Sequence, residues 1–316
     1  MSSYRRTDML VRAVASVRAQ TLADWELVVI DDHSPQDPTP LLDALGDPRI
    51  RVVRQERQRG IGRNVTDGMR LARGRYVTNV HDDDLVDPQY LEVLVAALEE
   101  HPGAVLAFCD HRVVDAEDRV LEPETEKRSE EEGRAQLAGG VHQPFVDLAL
   151  VGRATFLGLG TLWRNGAVDW DDVAAAGDYW DNFTLYHLCR EGGAAVYVPR
   201  RLASWRMHTG SNTVAAAGHE APEVKLRTGR ALAHCASAYA RDPRLAGYRR
   251  AFRHQVAEGR ATSAIALLRL EQPGPARGEA VRSLLVAPSA RAAAALVAAV
   301  APAPLRRRIA QVRRAS

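Results

Sequence analysis

Lysine is almost missing from this chain. Of its 42 basic residues only Lys127 and Lys225 are lysines, and the rest are arginine. These face 40 acidic residues, so the formal net charge is only +2. No strong field of one sign points to nucleic acid as a partner. Cysteine is scarce too. Cys109, Cys189 and Cys235 are odd in number and far apart, and they fit neither a zinc spacing nor a disulfide framework. That usage points to a reducing cytoplasm. Long apolar runs are also lacking. The nearest, residues 292–305, is alanine-rich, too short for a bilayer and broken by Pro302 and Pro304. No opening stretch has the pattern of a secretory leader. What is present is ordinary globular composition: 316 residues, 46% hydrophobic and 26% charged. That leaves room for a full core and one or two domains.

Leu10, Ala13, Val14 and Val17 recur at helical spacing, and the β-branched run at residues 27–30 reads as a buried parallel strand. A loop, Asp31-Asp32-His33-Ser34, follows it. Residues 50–53 read as a second strand. Ile61, Val65, Met69 and Ala72 mark the next helix face, closed by Gly74. Residues 76–80 then read as a strand, 88–100 as a helix and 104–109 as another strand. Short loops between alternating strands and helices predict a three-layer α/β sheet. The charge-dense residues 122–133 read as an exposed loop. Residues 194–198 read as a strand ended by Pro199. From about residue 214 the pattern is helical and rich in Ala and Arg. The expected division is 1–213 for a catalytic domain and 214–316 for a helical extension.

Asp82, Asp83 and Asp84 stand together after the strand at 76–80. Adjacent carboxylates repel one another, and a hard divalent cation, Mg²⁺ or Mn²⁺, removes that cost. Such a cation can bridge to nucleotide phosphates. The alternative is a solvated loop that caps the following helix. Ligands of open α/β sheets bind at the carboxyl ends of strands, where Asp31, Asp32 and the triplet all fall.

Further pieces join the triplet: Gly60-Ile61-Gly62-Arg63-Asn64 at a helix start, Trp180-Asp181-Asn182 at another, and Arg206, His208 and Ser211 downstream. The ordered set resembles the inverting family 2 glycosyltransferases with a GT-A fold, over roughly residues 3–213. The resemblance implies a Rossmann-like nucleotide-binding sheet and transfer of a sugar from a nucleotide-sugar donor, UDP-linked by preference. The acceptor would be a glycan or lipid-linked hydroxyl in the synthesis of cell-surface polysaccharide, glycolipid or another glycan. A divalent metal would be held by Asp83, with Asp84 and His208 as further ligands. Ser3, Tyr4, Asp32, Arg63 and Asp82 would contact the nucleotide-sugar. The base would be Asp181, with Asp178 as the competing candidate. Each residue also has a plainer reading: Asp32 as a turn residue, Arg63 as an exposed helix arginine, His208 as a packing histidine, Asp178 and Asp181 as helix caps.

Two departures from the family stand out. His81 replaces the usual first aspartate of the metal motif. The family's opening apolar strand is missing, since the chain starts at Met1-Ser2-Ser3-Tyr4 inside the loop that follows it. The expectation is that the natural start lies upstream. These departures keep a second reading open, a degenerate homologue that binds a nucleotide without catalysis. A sugar-phosphate nucleotidyltransferase is a third, although its Gly-rich basic phosphate loop is not visible. The Arg306-Arg307-Arg308 triplet and the Arg313-Arg314 pair flank Ile309 and Val312 on an expected helix. That helix is either solvated or rests peripherally on the inner face of an anionic membrane.

Overall fold

A computed structural model describes residues 1–152, 154–155, 158–208 and 221–302. The chain divides into two compact units, Met1–His208 and Thr209–Ser316.

The first unit opens with β1 (Ser2–Ser3), α1 (Thr7–Arg18), β2 (Leu27–Asp31), α2 (Thr39–Asp43) and β3 (Ile50–Arg54). These strands form a parallel sheet in the order β1-β2-β3. Then come α3 (Ile61–Leu71), β4 (Tyr76–Thr78), β5 (Leu85–Val86), α4 (Tyr90–Glu100) and β6 (Ala104–Val114). They are followed by α5 (Glu122–Glu131), β7 (Gly140–His142), β8 (Thr161–Arg164), α6 (Trp170–Val173), α7 (Trp180–Cys189) and β9 (Ala194–Arg206). A second sheet has the order β4-β8-β6-β9-β5, with β7 also paired to β9. Only β6 and β9 run parallel in it.

Helices cover both faces of β2. Leu27 and Val29 join Leu10, Val14 and Val17 of α1 and Tyr90 and Leu94 of α4 in one core. Ile30 points the other way, onto α3 at Gly68. Burial on both faces explains the uninterrupted apolar run.

Several expectations change. The opening strand is not wholly absent, because Ser2 and Ser3 pair in parallel with Ile30 and Asp31. Residues 122–133 are not a loop: 122–131 form α5. Its buried Thr125 and Ser129 bond the Val113 N–H and the Asp110 carboxylate, and Arg128–Glu132 and Lys127–Glu131 pair at helical spacing. Pro199 does not end its strand. The β6–β9 ladder pairs Cys109 with Val198 and then Asp110 with Arg201, so Pro199 and Arg200 are skipped in a bulge. Asp82–Asp84 lead into the short β5, and the helix expected from Pro88 starts at Tyr90.

The second unit is helical: α8 (Pro222–Arg241), α9 (Arg249–Arg269), α10 (Pro273–Val286) and α11 (Ala290–Val300). Alanines such as Ala264, Ala280 and Ala295 form its core. Among the described residues no helix is long and apolar enough to cross a membrane. Ser211 and the arginine-rich residues 305–316 lie outside the described residues.

Candidate active site

Five segments meet around the acidic triplet. The first is the turn after β1. The Tyr4 N–H donates to Asp82 Oδ2 at 3.2 Å. Arg6 reaches the same loop, with Nη2 2.7 Å from Asp82 Oδ1 and Nη1 on Asp83 Oδ2. Ser3 is buried beside them and hydrogen-bonds Asp82.

The second segment is the triplet itself, where all three carboxylates are buried. Burial pushes Asp82 up to about 7, against the opposing pull of Arg6. Asp84 is raised well above the usual carboxylate range by burial and by the neighbouring Asp83 charge. Burial also opposes ionisation of Asp83, but His81, Arg6 and His208 outweigh it and hold this carboxyl below its ordinary value. The loop therefore carries its negative charge mainly on Asp83.

The end of β9 is the third segment. His208 Nε2 lies 3.1 Å from Asp83 Oδ2. Arg206 is fully buried, and its Nε donates to the Asp83 carbonyl at 2.8 Å. Its backbone N–H donates to Asp84 Oδ1 at 3.0 Å, and its Nη1 binds Asp118. Arg206 thus ties the triplet to the 115–118 turn. Asp84 is turned to the Arg206 backbone, while Asp83 and His208 converge on one point.

The fourth segment is the start of α3. Asp32 accepts the Arg59 N–H at 2.6 Å and the Gly60 N–H at 3.1 Å, so both its oxygens hold the turn that leads into the helix. Arg63 is exposed on the first turn. Gly62 lies against a neighbouring turn: a Cβ added there would sit 2.4 Å from the Gly177 carbonyl oxygen. Gly177 itself has φ 58° and ψ −122°, a conformation open to glycine.

That turn introduces the fifth segment, Asp178 and the start of α7. Asp181 sits in the first turn of α7 and accepts the Asn182 N–H at 2.8 Å. Trp180 is buried and meets His81 edge to face, with ring centroids 6.3 Å apart. This contact joins the triplet loop to the helix that carries Asp181. Burial lowers the pKa of His81, against the opposing pull of the Asp83 charge.

Among the described residues no three His, Cys, Asp or Glu groups converge to hold a metal by themselves. The pair Asp83 and His208 does fit a site that a substrate completes. Mg²⁺ and Mn²⁺ sites commonly take one or two protein ligands and fill the rest with phosphate oxygens and water. The Asp83 carboxylate is the kind of oxygen ligand that suits Mg²⁺ or Mn²⁺.

The sequence reading brought Ser3, Tyr4, Asp82, Asp83 and His208 together, as the structure does. It missed Arg6, whose only signal was a second arginine after Tyr4. It also missed the burial of Arg206 and the meeting of His81 with Trp180, which no spacing encodes.

Residues 1–156 match the family described as Glycosyl transferase family 2. The succinoglycan biosynthesis protein ExoO of Rhizobium meliloti (strain 1021) is 34% identical over 38% of this chain and 34% of its own length. The chain spans only 18% to 35% of the length of the curated relatives it matches. Among solved structures, S. aureus TarS 1-349 in complex with UDP-GlcNAc superposes with a TM-score of 0.64 at 13% identity. That match covers 94% of this chain and 82% of the other. The mannosyltransferase PcManGT from Pyrobaculum calidifontis, in complex with GDP-Man and Mn²⁺, gives 0.52 at 16% identity, covering 94% and 84%. At these identities the likeness establishes the GT-A fold.

Proposed function

The first half of the chain, residues 1–156, belongs to glycosyl transferase family 2, and from that premise we propose an inverting, metal-dependent sugar transfer. The donor is a nucleoside-diphosphate sugar, UDP-linked by preference. The acceptor is a hydroxyl of a glycan or lipid-linked glycan, in the synthesis of surface polysaccharide or a related glycan. The observation that carries this reading is the convergence of Asp83, His208 and Arg6 on one point. It is joined through His81–Trp180 to the helix start that holds Asp181.

In this reading Asp83 and His208 hold the divalent cation. When bound, the cation acts as a Lewis acid toward the departing diphosphate. Ser3, Tyr4, Asp32, Arg63 and Asp82 line the nucleotide side. Arg6 presents a planar guanidinium, well shaped for phosphate oxygens. Asp181 takes the proton of the acceptor hydroxyl. The acceptor oxygen forms its bond to the anomeric carbon while the carbon–oxygen bond to the diphosphate breaks on the opposite face. The electron pair leaves with the diphosphate, and the configuration inverts. Asp178, next to the Gly177 turn, is the second candidate for the base.

The reading places the protein in the cytoplasm, where nucleotide-sugars are made. A peripheral contact with the inner membrane face would use the arginines of residues 305–316. NMR of the transferred sugar, with and without Mn²⁺, tests the proposal. A product of inverted anomeric configuration, formed only with the metal and lost in Asp83→Asn, is the expected result. Retention of configuration, or undiminished turnover by that variant, overturns it.

A further inference from the structure

Beyond the end of β6 the chain reverses over residues 115–119. Val114 and Val120 form an antiparallel bridge, and the Asp115 N–H donates to the Arg119 carbonyl at 3.0 Å. The Asp115 carboxylate ties this turn together. Its Oδ1 accepts the Glu117 N–H at 3.0 Å and the Arg119 N–H at 2.9 Å, and its Oδ2 accepts Arg119 Nε at 2.7 Å.

The Asp118 carboxylate makes none of these bonds. It meets two arginines from other elements instead. Its Oδ1 accepts from Nη1 of Arg206, at the end of β9, and its Oδ2 accepts from Nη1 of Arg12, on α1, at 3.1 Å. Asp118 has φ 69°, a left-handed conformation that glycine takes without cost. An aspartate there carries backbone strain, and strain of this kind is retained where the side chain serves a site.

Arg206 depends on that carboxylate. Its side chain is fully buried. Among the described residues, the other hydrogen bonds of its guanidinium go to backbone carbonyls: Asp83 at 2.8 Å, and Asp115 and Ala116 at 3.4 Å each. Its Nη2 is buried with no hydrogen-bond partner. A buried cation that loses its counter-charge is strongly unfavourable, and a buried donor without an acceptor adds to the cost. The acids next in line are those of the triplet, because Arg206 already bonds the Asp83 carbonyl through Nε and the Asp84 carboxylate through its backbone N–H.

We propose that Asp118 is a positioning residue of the donor site: its carboxylate neutralises Arg206 and keeps that guanidinium on the Asp83 backbone oxygen, so that the Asp83 carboxylate stays directed to His208 and open to a divalent cation. Asp118 touches neither cation nor substrate and acts through Arg206. The inference rests on the metal-dependent donor reading above and extends that site to the 115–118 turn.

The test compares the unaltered chain with Asp118→Asn and Asp118→Gly. The first keeps the shape and removes the charge. The second also relieves the backbone and leaves every bond of Asp115, so a role in the turn alone predicts no loss from it. Calorimetry gives the Mn²⁺ concentration at half-saturation, with UDP, GDP or dTDP present in excess, and the nucleotide affinity at saturating Mn²⁺. Both variants are expected to raise the Mn²⁺ midpoint by about 10–100-fold while changing nucleotide affinity at saturating metal by less than about threefold. In the metal-free proteins, amide exchange at Arg206 is expected to quicken by about tenfold in both. Unchanged midpoints, unchanged exchange at Arg206, or a loss in Asp118→Asn that Asp118→Gly does not share overturns the proposal. So does an equal loss of metal and nucleotide affinity, which would mark a general collapse of the site. If the unaltered chain binds none of the three nucleotides with Mn²⁺, the donor reading fails and this inference with it. If it binds one and the variants match it, this inference alone fails.

Discussion

His81 and Trp180 meet edge to face, their ring planes inclined by 62°. One belongs to the acidic-triplet loop and the other to the first turn of the helix that carries Asp181. The pair therefore links the proposed donor half of the site to the proposed acceptor half. An aromatic pair of this kind contributes about 0.5–1.5 kcal/mol beyond its buried area. His81→Ala keeps all three aspartates and removes the link. The expected outcome is a fall in kcat of up to about tenfold, with little change in nucleotide affinity. Steady-state kinetics beside calorimetry check it, and a selective loss of nucleotide affinity would speak against the link.

Asp83 and Asp181 separate binding from chemistry. Asp181→Asn removes the proposed base and leaves the donor pocket, so kcat is expected to fall by about 10²–10⁴ with nucleotide affinity unchanged. Asp178→Asn serves as the internal comparison. If Asp178→Asn shows the larger loss, the role of base passes to that residue.

Gly62 has no room for a methyl group. A Cβ there would sit 2.4 Å from the backbone oxygen of Gly177, which has no flexible side chain to move aside. Gly62→Ala is expected to cost about 1–3 kcal/mol and to displace the turn before Asp178. Thermal unfolding measures the first effect and kcat the second. An unchanged Tm would mean that the α3 start and the Gly177 turn are not held together.

The buried Met1 amine makes stability depend on pH. Burial lowers its pKa from 8.0 to about 6, against an opposing pull from Asp82. The unfolded chain then binds more protons than the folded one between about pH 6 and 8, so stability rises with pH across that window. The gain is on the order of 2–3 kcal/mol. Asp82 runs the other way: its raised pKa makes stability fall from about pH 4 to 7. Subtracting the profile of an N-acetylated chain isolates the amine. A difference that does not vary between pH 6 and 8 would contradict its burial.

The sequence made the strand–helix alternation legible because burial on both faces of β2 forces a continuous apolar run, and because α1 and α3 carry regular apolar faces. It also located the triplet, since three adjacent aspartates have few uses in a buried loop. It failed where tertiary contact overrides local composition. The charge-dense residues 122–131 form a helix because Thr125 and Ser129 supply a buried polar face to β6. Pro199 stays within a strand because a bulge removes the need for its N–H. Arg6 belongs to no motif in the sequence, yet it is the cation that balances Asp82 and Asp83.

The central claim is that Asp83 and His208 form, with a bound diphosphate, a metal-dependent donor site. Calorimetric titration of UDP, GDP and dTDP, with and without Mn²⁺, into the chain and its Asp83→Ala variant tests it most directly. The account predicts binding of one nucleotide, UDP by preference, that requires Mn²⁺ and disappears in the variant. Nucleotide binding of equal strength without the metal, or retained in Asp83→Ala, would contradict it.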